Sequence, residues 1–286
     1  MAKSLLVSPL TPFIGAEIGG IDLREVKREQ ILKIREVLLE RQVVFFRDQH
    51  LSQEQHIEFA RHFGELEVHP ATPTSQPNPE VLHLAHGPQS RGSENAWHSD
   101  VSWREKPSLG SVLKAVEVPE VGGDTLFANM AEAYDRLPDR TKEKIDGRVA
   151  VHDIARVFAA RLKTSPDELR DKYPMMEHPV VRTHPETGRR ILYVNVAFTA
   201  CIKDMDPLDS EALLADLYRA AWNPELQCRF RWRVGSIAFW DNRACQHFAA
   251  SDYFPQVRKM ERVTIAGDRP FFVPDKPAQA RDALTL

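Results

Sequence analysis

The sequence predicts a mainly β protein with helices packed on it, and two observations carry this prediction. From Val81 onward the apolar runs are short, and their β-branched and aromatic content is typical of strands. Within 228–233, arginines alternate with Phe230 and Trp232, so this strand is expected to have one solvated and one buried face. The predicted strands cover residues 81–85, 101–103, 111–118, 149–154, 191–196, 228–233, 237–240 and 262–266.

Spacing and capping residues predict the helices and one further strand. Apolar side chains predict a helix over 28–41, a buried strand over 43–46 and a helix over 209–222. Ser52 and Gln55 form a capping box, which starts a helix that is expected to run to Phe63 and end at Gly64. Helices are therefore few, and short strands dominate the prediction.

The segment 155–190 is interpreted as an insertion or a lid rather than as part of a core sheet. Prolines occur in it at positions 166, 174, 179 and 185. Connections longer than about 12 residues are often lids or binding elements. A length of 286 residues is at the upper end for one domain, so length alone leaves one domain and two lobes both open.

The composition favours a protein whose partner is a small soluble ligand. Hydrophobic residues make up 42% of the chain, charged residues 28%, and the formal net charge is -3, which argues against disorder and against a general affinity for nucleic acid. No apolar run approaches the ~20 residues that cross a membrane, and the N-terminus lacks a full secretory signal. We therefore expect no nucleic-acid partner and no membrane association. Whether the chain forms a homo-oligomer stays open.

The three cysteines are expected to be reduced thiols in the cytoplasm. Cys201, Cys228 and Cys245 are odd in number and lie far apart. They form no Cys-x-x-Cys pair of the kind that binds zinc or exchanges disulfides. A reducing cytoplasm is therefore the expected compartment.

A His-x-Asp pair, His98 and Asp100, is the strongest sign of chemistry in the chain. Side chains alternate along a strand, so on a strand both would point to the same side and can bind one metal ion. With one distant histidine, such a pair forms the three-ligand face of a non-haem Fe(II) site, whose open face takes substrate and O2. The pair alone is weak evidence, because the chain has 11 histidines and 41 acidic residues. Composition alone does not select the third ligand.

Ordered blocks around this pair resemble one enzyme family, the taurine dioxygenase family of Fe(II)- and 2-oxoglutarate-dependent oxygenases. The blocks are Trp97-His98-Ser99-Asp100-Val101-Ser102-Trp103, Gly122-Gly123-Asp124-Thr125-Leu126, Trp240-Asp241-Asn242-Arg243 and Gln246-His247-Phe248-Ala249. The likeness extends from about residue 15 to about residue 270, so residues 1–286 are expected to form one dioxygenase domain. The family fold implies a double-stranded β-helix, or jelly roll, with helices packed on one side.

The resemblance implies which residues hold the metal and the cosubstrates. His247 takes the role of third ligand to Fe(II), and O2 and 2-oxoglutarate are the implied cosubstrates. Arg258, eleven residues after His247, and Thr125 match positions that hold the far carboxylate of 2-oxoglutarate. From the residues alone, a surface charge is the better description of Arg258, and a turn residue is an equally good description of Thr125. Strand alternation, however, would place Arg258 and Arg262 on one face.

The resemblance also implies a pocket for a small anionic substrate. His69 and Arg262 match positions that hold the sulfonate of taurine, whereas Val101, Phe158 and Phe198 match the apolar lining. From sequence alone, a solvated loop histidine is an equally good description of His69.

Two departures from the family pattern concern this pocket. Thr72 stands where the family usually carries a tyrosine, and Glu94-Asn95-Ala96 replaces an Asn/Asp-rich run. The expected reaction is hydroxylation of an anionic organosulfur substrate, taurine or a related alkyl sulfonate, with release of sulfite, an aldehyde, succinate and CO2. Alkyl sulfate esters and aryloxyalkanoates are the alternatives within the family. A non-catalytic metal-binding jelly roll is the alternative from another class, and the arginine at the cosubstrate position argues against it.

Overall fold

Short strands dominate the fold and helices flank them, as the sequence predicts. The computed structural model describes residues 5–69, 72, 75–92 and 95–274. The strands in this part of the chain are β1 (Leu6–Pro9), β2 (Ala16–Gly19), β3 (Val43–Phe46), β4 (Leu66–Glu67), β5 (Val81–His86), β6 (Gly110–Glu117), β7 (Thr125–Asn129), β8 (Val149–His152), β9 (Met176–Pro179), β10 (Val181–Thr183), β11 (Arg190–Leu192), β12 (Thr199–Ile202), β13 (Gln227–Phe230), β14 (Ile237–Asp241), β15 (Cys245–Ala249) and β16 (Arg258–Ile265). The helices are α1 (Arg28–Arg41), α2 (Gln53–Arg61), α3 (Met130–Asp135), α4 (Asp139–Ile145), α5 (Ala155–Leu162), α6 (Pro166–Lys172) and α7 (Pro207–Ala221). In these residues we find no helix with the length and apolarity that a membrane span requires.

Two facing sheets form the centre of the molecule. The larger, eight-stranded sheet has the order β1-β2-β3-β14-β6-β16-β4, with β5 also paired to β16, and the smaller has the order β13-β7-β15. Phe45 and Trp240 of the larger sheet pack with Phe127 and Phe230 of the smaller one in a shared apolar core. Two sheets with a common core are the arrangement of a jelly roll, and here they do not join into a closed barrel. The predicted fold class is confirmed.

Helices α1 and α2 cover the outer face of the larger sheet. Ile34 of α1 and Phe59 of α2 are buried in one core with Phe46 and Phe239 of the sheet. The capping box at the start of α2 is present, since Ser52 accepts from the Gln55 amide at 3.2 Å and the Gln55 side chain accepts from the Ser52 amide at 2.9 Å. The predicted helices over 28–41 and 209–222 are confirmed as α1 and α7.

Alternate residues of strand β16 point to the two sides of the larger sheet, one covered by α1 and α2 and the other facing the smaller sheet. Val263 and Ile265 are buried on the side of α1 and α2. Met260 is buried in the core between the two sheets, and Arg258 and Arg262 share its side by alternation. The strand therefore directs both arginines towards the interior of the jelly roll.

The strand predicted over 101–103 is wrong. Residues 100–103 form a turn, and Val101 has a φ of 48°, in the left-handed region where an extended chain cannot continue. His98 makes only an isolated β-bridge, to His247. The strand predicted over 191–196 is also too long, because β11 ends at Leu192.

The segment 155–190 contains regular structure. Helices α5 and α6 contact each other, β9 pairs with β8, and β10 pairs with β11. None of these strands belongs to the two facing sheets. Movement of this segment as a lid, and the extent of the chain as one domain, stay predictions.

Candidate active site

Three side chains with metal-binding atoms converge between the two sheets. Among the described residues, His98, Asp100 and His247 form the group in which three histidine, cysteine or acidic side chains lie close enough to hold one ion, with all ligand atoms within 4.8 Å of one another. Asp100 Oδ1 is 3.7 Å from His98 Nε2 and 4.0 Å from His247 Nε2. The centroids of the two imidazole rings are 4.1 Å apart.

The backbone brings the two histidines together, and one side chain fixes the aspartate. His98 and His247 exchange two backbone hydrogen bonds, of 3.1 and 2.9 Å, and His247 belongs to β15. Asn242 Oδ1 accepts from the Asp100 amide at 2.6 Å, and Asn242 Nδ2 donates to the Asp100 carbonyl at 2.9 Å. An asparagine thus takes the place of a neighbouring strand at Asp100. His98 and Asp100 therefore both direct their side chains towards His247, although they do not lie on a regular strand.

The protonation states fit a ferrous ion. His98 Nδ1 lies 2.8 Å from the Ala96 carbonyl, to which it donates, so Nε2 carries the lone pair. Burial, together with the neighbouring His98, lowers the pKa of His247 to about 3, which keeps this imidazole neutral. Burial opposes ionisation of Asp100, but Arg262 and the two histidines hold its pKa well below the usual value. Imidazole nitrogens and a carboxylate are ligands that suit Fe(II).

Thr125 and Arg258 lie together around a tryptophan that the sequence did not single out as a site residue. Trp232 is buried, and its indole Nε1 donates to Thr125 Oγ1 at 3.0 Å. The Arg258 guanidinium carbon lies 5.9 Å from the centroid of the Trp232 ring. Arg258 Nε donates to the Gly123 carbonyl at 3.1 Å. A buried cation and a hydroxyl therefore lie against the same indole, and both are groups that can recognise a carboxylate.

The second arginine of β16 lies at the triad itself. Arg262 Nη1 donates to Asp100 Oδ1 at 3.0 Å, and its Nε is buried without a hydrogen-bond partner among the described residues. Burial, together with the guanidinium groups of Arg262 and Arg104, lowers the pKa of His69 to about 4. His69 is thus a neutral imidazole at pH 7, and Arg262 supplies the positive charge on this side of the triad.

Apolar side chains form a wall beside the triad. Val101, Phe158 and Phe198 belong to one cluster, in which Phe158 is partly buried and the other two are buried. The ring centroid of Phe198 lies 6.3 Å from that of His98, and the Phe158 ring stacks on Phe198 at 6.4 Å. The wall carries no charge.

The sequence departs from the family pattern at Thr72 and in the run Glu94-Asn95-Ala96, and the structure describes these two places to different extents. Thr72 is buried, and its hydroxyl oxygen has no hydrogen-bond partner among the residues that the structure describes. Glu94 lies outside the described residues. Asn95 and Ala96 of the same run are described: Asn95 Nδ2 donates to Ser251 Oγ at 2.6 Å, and the Ala96 carbonyl accepts from His98.

Two residues that hold the site, Asn242 and Trp232, were not identified from sequence. Asn242 lies in the block Trp240-Asp241-Asn242-Arg243, which resembles the family. Its contact with Asp100 spans 142 positions, and no local pattern in the sequence indicates it. The alternation of arginines with Phe230 and Trp232 did indicate that Trp232 is buried, and a buried indole N–H needs a partner. That partner, Thr125, is visible only in the fold.

Known proteins resemble this chain over most of its length. The family model for the taurine catabolism dioxygenase TauD, TfdA family matches residues 6–264. An α-ketoglutarate-dependent sulfate ester dioxygenase of Pseudomonas putida is 37% identical over 279 residues, covering 94% of this chain and 92% of that protein. An alkylsulfatase of Acinetobacter baylyi is 35% identical, covering 93% of this chain and 86% of that protein.

A solved structure agrees with these relatives. The crystal structure of a taurine dioxygenase from Burkholderia xenovorans matches with a TM-score of 0.81 at 38% identity, covering 94% of this chain and 93% of that one. Fold and sequence agree with these relatives across nearly the whole chain. The chain belongs to the taurine catabolism dioxygenase TauD, TfdA family.

Proposed function

We propose that this protein is an Fe(II)- and 2-oxoglutarate-dependent dioxygenase that oxidises a small anionic organosulfur substrate, a sulfonate or a sulfate ester. One observation carries the proposal: β16 turns two arginines to the interior, Arg262 beside the metal-binding triad and Arg258 beside Thr125. Four residues of strand separate them by about 13 Å at ~3.3 Å per residue. Two separate cations beside one triad suit two different anions, the cosubstrate and the substrate.

The triad and the residues around it prepare the reaction. Ferrous iron, when bound by His98, Asp100 and His247, supplies the redox chemistry with O2 and 2-oxoglutarate. Asn242 holds the Asp100 backbone, and the Ala96 carbonyl fixes the tautomer of His98. The fixed orientation of the ligands keeps one face of the site open to substrate.

Trp232 gives Thr125 a defined role towards 2-oxoglutarate. A hydroxyl has one proton to donate, and the Trp232 indole already donates to Thr125 Oγ1. The Thr125 hydroxyl proton is therefore directed to another acceptor, and the distal carboxylate beside Arg258 is the acceptor that we propose. Arg258 supplies the charge and Thr125 the second donor.

Arg262 would bind the anionic group of the substrate, and the apolar wall would contact the rest of it. The buried Nε of Arg262 is a donor for one oxygen of a sulfonate or sulfate group. The remainder of the substrate would lie along Val101, Phe198 and Phe158. His69, which is neutral, contributes a hydrogen bond rather than a charge.

The proposed reaction balances as a monooxygenation of substrate coupled to loss of CO2. One oxygen atom of O2 enters succinate as 2-oxoglutarate is decarboxylated, and the other becomes a hydroxyl on the substrate carbon next to the sulfur group. A hydroxylated sulfonate breaks its C–S bond to give an aldehyde and sulfite. A hydroxylated sulfate ester breaks its C–O bond to give an aldehyde and sulfate.

The uncharged wall favours an alkyl tail over the ammonium group of taurine, and alkyl sulfate esters are the second candidate beside the alkyl sulfonates. Taurine carries an ammonium group, and burial of an unpaired charge against Val101 and Phe198 is costly. An alkyl tail loses nothing there and gains from the removal of apolar area from water. The names of two relatives, a sulfate ester dioxygenase and an alkylsulfatase, support the same substrate class.

A substrate panel tests the proposal. Succinate would be measured with taurine, pentanesulfonate, hexyl sulfate and phenoxyacetate, with hexanol and hexylamine as neutral and cationic controls. We expect succinate with the organosulfur anions, in step with sulfite from sulfonates or sulfate from sulfate esters. A preference for hexanol or hexylamine would overturn the proposed substrate class.

Replacing Arg262 with alanine is expected to raise the KM of the organosulfur substrate at least tenfold, because the anion loses its charged partner. The apparent KM for 2-oxoglutarate should change little. Arg269→Ala is the control, since Arg269 is exposed and pairs with Glu105 at 3.6 Å on the surface. Steady-state kinetics with each substrate varied in turn would show the effect. Equal KM values in the two variants would remove Arg262 from the substrate site.

Replacing Trp232 with phenylalanine is expected to raise the KM for 2-oxoglutarate about fivefold, because one hydrogen bond of ~1 kcal/mol no longer orients Thr125. The ring and its contact with Arg258 would be retained. Trp222→Phe is the matched control, because Trp222 is half-exposed. If both variants keep the wild-type KM, Trp232 does not orient Thr125.

A further inference from the structure

A buried polar cluster touches the turn that carries Asp100. Ser102 follows Asp100 by two residues, and its hydroxyl lies 3.0 Å from His152 Nδ1 and 3.0 Å from Asn195 Nδ2. All three side chains are at most 1% exposed. We name Ser102, His152 and Asn195 the Ser102 clamp.

The turn needs such support because its backbone is strained. Val101, a β-branched residue, has a φ of 48°, a conformation that side chains of this kind rarely adopt. Such residues persist only where the surrounding structure fixes them. Asn242 fixes the backbone on one side of Val101, at Asp100, and the clamp fixes Ser102 on the other side.

The clamp is itself attached to rigid elements. His152 belongs to β8 and pairs with Thr199 of β12. Asn195 Oδ1 accepts from the Phe198 backbone amide at 2.9 Å, and the Asn195 backbone amide donates to Thr199 Oγ1 at 2.9 Å. Both partners of Ser102 are therefore held by the sheet β12-β8-β9, which is separate from the two facing sheets.

A second histidine strengthens this attachment. His178 of β9 is buried, and its Nε2 donates to the Arg104 carbonyl at 2.9 Å, at the end of the same turn. The His152 and His178 rings are in edge contact, with centroids 5.3 Å apart. The turn is thus attached to β8 and to β9 at two successive points.

We propose that the Ser102 clamp positions Asp100 for metal binding by holding the strained turn in the conformation that faces the two ligand histidines. Ser102, His152 and Asn195 are positioning residues: none of them belongs to the metal-binding triad, and they act on Asp100 through the backbone of the turn. The inference rests on the proposed function only in taking His98, Asp100 and His247 as the metal site. Loss of a group that hydrogen-bonds a ligand typically weakens metal affinity 10- to 100-fold, and we expect an effect in this range because the clamp fixes the residue two positions after Asp100.

The test measures Mn(II) affinity of the metal-free protein, without 2-oxoglutarate, by isothermal titration calorimetry. Ser102→Ala is expected to weaken Mn(II) binding at least tenfold. Ser210→Ala is the matched control, because Ser210 is 2% exposed and its hydroxyl accepts a hydrogen bond of 2.8 Å from the Ile202 backbone amide. The control should lose some thermal stability but keep the wild-type affinity. Equal affinity in the two variants would overturn the inference.

A second pair of variants decides the matter even if Ser102→Ala fails to fold. His152→Asn keeps a hydrogen-bonding group near the position of Nδ1, whereas His152→Leu removes it. We expect Mn(II) affinity close to wild type in the first and at least tenfold weaker in the second. Equal affinities would contradict the clamp. Failure of the wild-type protein to bind Mn(II) would instead contradict the proposed function, so the two failures are distinguishable.

Discussion

His247→Ala is expected to abolish the decarboxylation of 2-oxoglutarate. His247 is buried, its Nε2 lies 4.0 Å from Asp100 Oδ1, and its imidazole is neutral because burial and the neighbouring His98 lower its pKa to about 3. Alanine leaves two of the three ligands, which no longer form one face of an octahedral site. The measurement is succinate formed from 2-oxoglutarate in the presence of Fe(II) and O2.

Two controls accompany this variant. His62→Ala, at an exposed histidine of the α2 end, should keep full activity. Treatment of the wild-type protein with a chelator should abolish activity, and ferrous iron alone should restore it. If His247→Ala forms succinate at the wild-type rate, the ligand assignment fails.

Arg258→Ala is expected to weaken 2-oxoglutarate at least a hundredfold while iron binding survives. Arg258 is buried beside Thr125 and Trp232, so removal of its guanidinium leaves a desolvated carboxylate without a charged partner. Breaking a buried ion pair in this way typically costs ~3 to 5 kcal/mol, and each ~1.4 kcal/mol is tenfold in affinity. The apparent KM for 2-oxoglutarate and the Fe(II) affinity would both be measured.

Two further variants sharpen this prediction. Lys259→Ala changes the neighbouring residue, which is exposed and pairs with Glu117 at 2.7 Å, and should leave the KM unchanged. Arg258→Lys keeps a charge but loses the planar fork, so it should restore only part of the affinity. An unchanged KM in Arg258→Ala would exclude this residue from the cosubstrate site.

Elements with one buried face could be predicted from the sequence. Helices α1 and α7 and strand β3 have apolar residues at regular spacing, because one side of each helix, or the whole of β3, packs in a core. Strand β15 was missed, since Gln246 and His247 are polar although buried. Polar residues with a functional role thus interrupt the apolar pattern by which a buried strand is recognised in a sequence.

The residues of the candidate site could be predicted from the sequence, but the contacts that hold them in place could not. The His-x-Asp spacing and the family blocks name His98, Asp100 and His247, whereas the strand that was meant to align the first two is a turn. The contacts that hold this turn come from Asn242, 142 residues beyond Asp100, and from His152, 50 residues beyond Ser102. Pairings over such separations leave no local pattern in a single sequence.

The central claim is that one site binds Fe(II) through the triad and 2-oxoglutarate through Arg258, and an anaerobic titration tests it most directly. Chelation of Fe(II) by the keto acid end of 2-oxoglutarate gives a metal-to-ligand charge-transfer band in the visible spectrum. We predict this band in the wild-type protein only when Fe(II) and 2-oxoglutarate are both present, no band in His247→Ala, and a band at much higher 2-oxoglutarate concentration in Arg258→Ala. A wild-type protein without the band, or a His247→Ala variant with the wild-type band, would contradict the claim.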